Sequence, residues 1–465
     1  MRSLLLGTVA LSFSAVAACG TGEAAAPIGP PSAPAADAPS TDAVTYHEHV
    51  APILQKRCQS CHVSGGIAPF ALTTYEEAKP MAPAIVDMTQ RRIMPPWGAH
   101  ETADCKPTRP WKNDLRLTDA ELATLKAWDE AGAPAGDPAK APPPSVPPSR
   151  SLADPSLTLQ PEVGFAMSGT SDVLECFVLD PKLAADAFVD GIHVVPERPE
   201  VVHHVLVFVD PTGASRAKAD ANGRYECFGG AGVADASLLS AWAPGGPPNE
   251  LPSGIGMPVA AGSLLVMQVH YHAAGGVAAP PDRTRVDLRF AKQTPSSFAV
   301  TRLVGNFRDV LADGTSGLAT PPFEIPPNAR DHVETMKLKV PSTLKDRPVK
   351  DLRLLAAGGH MHYVGVSEDV RIRRGDGSEE CLLAIPRWDF DWQRGYVYDT
   401  PVDQLPLVVP GDELSISCTY DNTMQNPKMA RALAESGQSA PQLVTLGEST
   451  LDEMCLASFT FVVTP

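Results

Sequence analysis

The pattern of hydrophobic and polar positions changes character three times along the 465-residue chain. Leu4 to Val16 is an apolar run behind Arg2 that ends in the small residues Val16-Ala17-Ala18-Cys19. At roughly 13 to 15 residues it has the length of an export signal and is too short to span a membrane. Val50 to Arg57 carries helix-type apolar spacing, and Leu117-Thr118-Asp119-Ala120-Glu121 opens a second helix. Thr118 is placed to cap that helix with Glu121 three residues on, and the helix runs to about Glu130. From Cys176 onward, short runs of Val, Leu, Phe and Ile are separated by Pro, Gly and Asp-Gly clusters, the pattern of antiparallel sandwiches. Two stretches lack periodicity: residues 20–44, rich in Ala, Pro, Gly and Ser, read as a flexible tether, and 133–150, which holds Pro142-Pro143-Pro144 and Pro147-Pro148, reads as an extended spacer. The expected order is therefore an export segment (1–19), the tether (20–44), a small all-α unit (45–132), the Pro-rich linker (133–150) and two all-β antiparallel sandwiches (151–310 and 311–465).

Composition narrows the function classes. With 43% hydrophobic and 20% charged residues the chain is not disordered throughout, and 47 Pro with 36 Gly favour many turns and short strands. Lys and Arg number 38 against 54 Asp and Glu, and the net charge of −16 opposes a phosphate backbone, so no nucleic-acid partner is expected. The Val16-Ala17-Ala18-Cys19 tetrad resembles a bacterial lipobox, which implies lipidation of Cys19 and membrane anchoring through that lipid. Ordinary signal-peptidase cleavage nearby is the alternative. Gly20 after the cysteine, by resemblance to lipoprotein sorting, points to the outer membrane, facing periplasm or cell surface. Disulfides are permitted there.

In such a compartment Cys58-Gln59-Ser60-Cys61-His62 is a strong signal. The two thiols of C-x-x-C-H can form thioethers to haem vinyl groups while the histidine ligates iron. A redox disulfide or half a zinc site is the bland reading, and no second Cys pair at zinc spacing lies nearby. Met81, Met88 and Met94 are candidate sixth ligands; Met94 is preferred, because the prolines of Met94-Pro95-Pro96-Trp97 fix an extended loop. Met81 and Met88 read as packing residues, and His47, His49 and His100 as alternative ligands. The unit resembles a small class I cytochrome c, which implies one covalently bound haem c and an external electron donor to it.

Three histidine pairs stand out in the β region: His203-His204, His270 with His272, and His360 with His362. Six of the eight histidines after residue 150 sit in these pairs. Residues i and i+2 on a strand face the same way, so His360 and His362 can converge on one metal. Neighbours face opposite sides, so His203 and His204 can share a metal only through a bulge, a strand end or different ring nitrogens. Imidazole sites suit copper, zinc, iron or nickel, and a thioether ligand would tilt the choice to copper.

The residues from about Cys176 to Val463 resemble the copper type II, ascorbate-dependent monooxygenases, the family of dopamine β-hydroxylase and peptidylglycine α-hydroxylating monooxygenase. The resemblance rests, in order, on His203-His204, Ala241-Trp242-Ala243 with Gly254-Ile255-Gly256-Met257-Pro258, Gln268-Val269-His270-Tyr271, His360-Met361-His362, Ser417-Cys418-Thr419-Tyr420 and Thr450-Leu451-Asp452-Glu453-Met454-Cys455. It implies two copper ions: an electron-transfer copper at His203, His204 and His270, and an oxygen-activating copper at His360, His362 and Met454, the catalytic set. His272 is a neighbour in this mapping. The resemblance also implies Cys176–Cys227 and Cys418–Cys455 disulfides, and leaves Cys105 and Cys381 either free or paired with each other. Where the peptide-amidating branch has a substrate-anchoring arginine and tyrosine, this chain has Gly358 and Ser458. The expectation is a copper-dependent monooxygenase that hydroxylates a C–H bond of a small organic substrate with O2, with electrons delivered through the haem unit. A non-catalytic exported copper and haem electron-transfer protein is the alternative; zinc-dependent hydrolysis lacks a general-base motif such as H-E-x-x-H.

Overall fold

A computed structural model describes residues 44–64, 68–143, 151–168, 173–227, 230–244, 246–271, 280–306, 323–344, 347–349, 351–447 and 451–463. Cys19, the expected export segment and the expected tether through residue 43 lie outside the described residues, as do residues 144–150 of the expected linker and His272. The protein has a small helical N-terminal region followed by a large β region organised in several sheets. No helix among the described residues is long and apolar enough to cross a membrane.

The helical region comprises a π-turn at Tyr46–Val50 and helices Ala51–Arg57, Tyr75–Ala78, Ala82–Gln90 and Asp119–Glu130. Thr118 and Glu121 form a reciprocal capping box, as do Thr74 and Glu77. Glu121 also receives Arg57 through two bonds of 3.1 Å, which braces the closing helix against the helix that leads into Cys58. Val50, Leu54, Leu125 and Trp128 are fully buried at the centre of this region. Residues 133–135 pack onto it rather than leaving it. Tyr46 and His47 donate backbone N–H bonds to Pro134 and Ala135, and the Trp128 indole donates to Pro134 O at 3.1 Å.

The chain between the last two helices departs from the helical core. Trp97, Ala99 and Trp111 are buried with the β-region core instead. Cys105 is disulfide-bonded to Cys381, 276 positions away, so these two cysteines have a definite role that spacing left open.

In the β region, a five-stranded antiparallel sheet runs in the order Arg224–Glu226, Val173–Leu179, Leu264–Tyr271, Val202–Asp210, Ser237–Trp242. A four-stranded sheet runs His332–Lys339, Glu413–Tyr420, Gly365–Arg373, Glu379–Ile385. Alternate residues of Glu413–Tyr420 are buried, the signature of a strand with one face in a core. Leu264–Tyr271 is buried at every position, which suits a central strand covered on both faces. The two halves expected as separate sandwiches share one ten-stranded sheet. Strand Ser297–Gly305 pairs in parallel with Ile255–Val259 and antiparallel with Leu456–Val463, which in turn pairs with Leu352–His360. Cys176–Cys227 and Cys418–Cys455 are disulfide-bonded.

Candidate metal centre

His203 and His204 lie at the start of strand Val202–Asp210, and His270 near the end of its neighbour Leu264–Tyr271. The ladder between these strands is irregular between Val202 and His204, and His204 stands opposite His270. A bulge of this kind turns consecutive side chains to one side. The Nδ1 atoms of the three rings form a triangle with edges of 3.2, 3.3 and 3.4 Å. An equilateral triangle of that size has a circumradius of about 1.9 Å (edge divided by √3), just inside the roughly 2.0 Å nitrogen distance of a bound transition metal. Three ring nitrogens thus surround a point where one ion fits. Burial, reinforced by the neighbouring imidazoles, holds His204 well below the usual histidine range, so its ring is neutral and able to ligate.

His360 ends strand Leu352–His360 and His362 follows in the turn, with ring centroids 5.2 Å apart and planes nearly perpendicular. Each ring is held through Nδ1. His360 donates to Gln393 Oε1 at 2.6 Å, and Gln393 is itself oriented by its amide bond to Phe390 O at 3.2 Å. His362 donates to Asp452 O at 3.0 Å. Both acceptors fix the proton on Nδ1 and leave Nε2 as the lone pair, the arrangement in which a second partner orients a metal-binding imidazole.

Met454 is buried, and its backbone is held at both ends: its N–H donates to Glu453 and its carbonyl accepts the Tyr420 hydroxyl at 2.8 Å. Glu453 is fully buried and accepts four backbone N–H bonds, from His362 (2.7 Å), Met454 (2.8 Å), Val364 (3.1 Å) and Gly365 (3.1 Å). Burial pushes its carboxyl up to about 8 against the opposing pull of the four backbone donors. One side chain therefore ties the His362 turn to the Met454 loop. Phe390 joins the two histidine groups, stacked on His203 at 4.9 Å and edge-on to His362 at 6.1 Å.

In the helical region Cys58 and Cys61 are not disulfide-bonded, and burial raises the Cys58 thiol to about 12. His62 donates Nδ1–H to Phe70 O at 3.1 Å, which leaves Nε2 available as an axial iron ligand. This donor set fits a covalently attached haem. Met94 follows the Ala82–Gln90 helix, its N–H bonded to Met88 O at 3.1 Å and its bond to Pro95 cis. Met81 packs against the helical core and Met88 is exposed. His49 and His100 make bonds to backbone groups of Thr45 and Trp97.

Sequence reasoning placed the histidines and Met454 but assigned no role to Gln393, Phe390 or Glu453. Glu453 lies inside the Asp452-Glu453-Met454-Cys455 motif, so its adjacency to Met454 was the available signal; Gln393 and Phe390 carry none.

No protein-family profile matches the chain. Peptidyl-glycine alpha-amidating monooxygenase A of Xenopus laevis is 24% identical over 278 residues, a stretch covering 57% of this chain and 24% of the frog protein. The chain thus spans about a quarter of that relative's length. Among solved structures, the major capsid protein P2 from Bacteriophage PM2 aligns at TM-score 0.24 and 10% identity, covering 66% of this chain and 97% of that one. Broad Bean Stain Virus aligns at TM-score 0.25 and 9% identity, covering 68% and 90%. Scores of that size establish no common fold. What the chain itself presents is a multidomain protein, helical at its N-terminus and β thereafter, with a histidine triad able to coordinate a metal ion.

Proposed function

We propose that the chain is a copper-dependent monooxygenase that hydroxylates a C–H bond of a small organic substrate, with electrons delivered through a haem c on its helical region. The observation that carries the reading is the triangle of Nδ1 atoms from His203, His204 and His270. His360 and His362, each oriented through Nδ1, and the thioether of Met454, whose softness favours copper over zinc, supply the second set. Bound copper supplies one-electron redox chemistry at the triad and activation of O2 at the second group. The protein's part is to orient His360 and His362 through Gln393 and Asp452 O, and to anchor the Met454 loop through Glu453. The net reaction takes one O2, two electrons and two protons, leaves one oxygen in the substrate as hydroxyl and releases the other as water.

The substrate differs from that of the amidating relative. Gly358 lies opposite Ser458, and a Cβ added at Gly358 meets Ser458 Oγ at 2.9 Å and Arg394 O at 3.1 Å. The packed strands leave no place for an arginine that would anchor a peptide carboxylate. Three disulfides suit an oxidising compartment, in line with export and lipid anchoring at Cys19.

Metal analysis of the full chain should find two coppers and one covalent haem. Oxygen-uptake screening against C–H substrates should then reveal coupled turnover. Met454→Ala should lose that turnover yet keep electron exchange between haem and the triad; a Met454→Ala protein with full turnover overturns the reading.

A further inference from the structure

Helix Pro427–Glu435 carries no member of either histidine group, yet it holds the segment that orients His360. Its start is fixed by Asn426, whose side chain accepts the Lys428 N–H at 3.0 Å and donates to Tyr363 O, one residue beyond His362, at 3.0 Å. Lys428 is thereby seated beside the His362 turn. Its Nζ donates to two carboxylates at once, Asp389 and, at 2.7 Å, Asp391. These flank Phe390 in the 3₁₀ turn Phe390–Trp392, which Asp389 also caps by accepting the Asp391 N–H at 3.1 Å. The two carboxylate side chains are 44% and 43% exposed, whereas Phe390 is 4% exposed. One ammonium thus pins the outer side of the turn while the ring is buried on the inner side, 4.4 Å from Tyr363. The turn ends in Gln393, which donates to Phe390 O at 3.2 Å and accepts the His360 Nδ1–H at 2.6 Å. Arg431, one helical turn after Lys428, comes only to 4.0 Å from Asp391 and is engaged with the Tyr363 hydroxyl at 3.3 Å, so it does not replace Lys428.

We propose that Lys428 is a positioning residue for the second histidine group: by drawing Asp389 and Asp391 together it sets the turn from which Gln393 fixes the His360 ring. Its consequence for copper rests on the function proposed above; its hold on His360 does not. Without the ammonium, two carboxylates one residue apart repel each other, the turn loosens and Gln393 leaves the imidazole. Because the three charged groups are partly exposed, their attraction is weakened by salt, which a packing role would not be.

The test uses the full, metal-free, disulfide-intact chain with ¹⁵N-labelled histidine, and reads the exchange with water of the Nδ1 protons of His360 and His362. Loss of one signal in Gln393→Leu assigns His360. Lys428→Met should speed exchange of the His360 proton about fivefold, the upper worth of a half-exposed ion pair. The His362 proton, held by Asp452 O, should exchange as in the parent, and Lys428→Arg should restore the His360 proton. Raising sodium chloride from about 0.05 M to about 1 M should speed His360 exchange in the parent and not in Lys428→Met. Cuprous ion competed against a chelator should bind the second group about fivefold more weakly in Lys428→Met, and this loss should vanish when Gln393 is already leucine. Unaltered His360 exchange in Lys428→Met, equal acceleration at His360 and His362, salt-insensitive exchange in the parent, or a copper loss undiminished by Gln393→Leu overturns the inference. A parent that binds no copper at His360 and His362 overturns the proposed function, and the exchange measurement still decides the role of Lys428.

Discussion

Glu453 offers the sharpest test of how the second site is built. Its carboxyl group is the common acceptor for four buried backbone N–H groups, two on the His362 turn beyond the histidine, one on His362 itself and one on Met454. In Glu453→Gln the amide keeps one oxygen for two of these donors and turns an NH2 group toward the other two. At about 1–3 kcal/mol for each buried donor left unsatisfied, the substitution should cost about 2–6 kcal/mol without creating a cavity. In chemical denaturation of the metal-free, disulfide-intact protein the midpoint should fall with little change in slope. Copper titration should show a second effect: the site at His360 and His362 weakened by about 10- to 100-fold, as for other residues that position ligands, and the His203 triad unaffected. A Glu453→Gln protein within about 0.5 kcal/mol of the parent, the range of a neutral surface change, would refute the claim that this carboxylate holds the loop.

Gln393→Leu removes the acceptor of His360 Nδ1 and should weaken copper at the second site by about 10- to 100-fold with the fold intact, measured by competitive metal titration. His270→Ala takes away one of three converging nitrogens and should abolish stoichiometric copper at the first site while the second still fills, visible in metal-to-protein ratios after desalting. Copper added at about 100 times its dissociation constant should raise unfolding free energy by about 2.7 kcal/mol per site filled, and His270→Ala should lose the increment of one site. Replacing Cys105 and Cys381 together by serine should cost about 2–4 kcal/mol in thermal or chemical unfolding, with the other two disulfides still closed by thiol counting.

Local pattern made part of this molecule legible. Thr118 with Glu121 announced a helix start that the structure realises as a capping box, and the histidine pairs stood out because six of the eight histidines after residue 150 fall in them. The His203-His204 pair required a bulge, and the ladder is irregular at that point. Helix Ala82–Gln90 and the 3₁₀ turn before it went unread because Pro80 and Pro83 look like breakers, although proline in a first turn costs no helical hydrogen bond. The sharing of one sheet by both β halves depends on two parallel residue pairs, Ser297 with Ile255 and Phe298 with Gly256, which leave no periodic trace. Cys105 and Cys381 lie 276 positions apart, a separation from which no pairing can be deduced.

The two histidine groups are held by different physical means, and this sets where each is vulnerable. The triad sits on adjacent inner strands of a five-stranded sheet, where Val205 opposite Val269 and Val207 opposite Met267 are fully buried directly behind the ligands. Its geometry follows from the ladder itself, so substitutions beyond the three histidines have little to act on. The second group has one residue, His360, at a strand end and two, His362 and Met454, in irregular segments that have no ladder to fix them. Strand Leu352–His360 lies between Leu456–Val463, which carries the Met454 side, and Gly395–Val397, which carries the Gln393 side. Its residues are therefore positioned by side chains reaching in from both flanks: Gln393 from one, and Glu453 with the Cys418–Cys455 bridge from the other. Loss of copper on substitution of non-ligand residues should accordingly concentrate at the second site, and a scan finding the triad equally sensitive would mean that the sheet does not hold it.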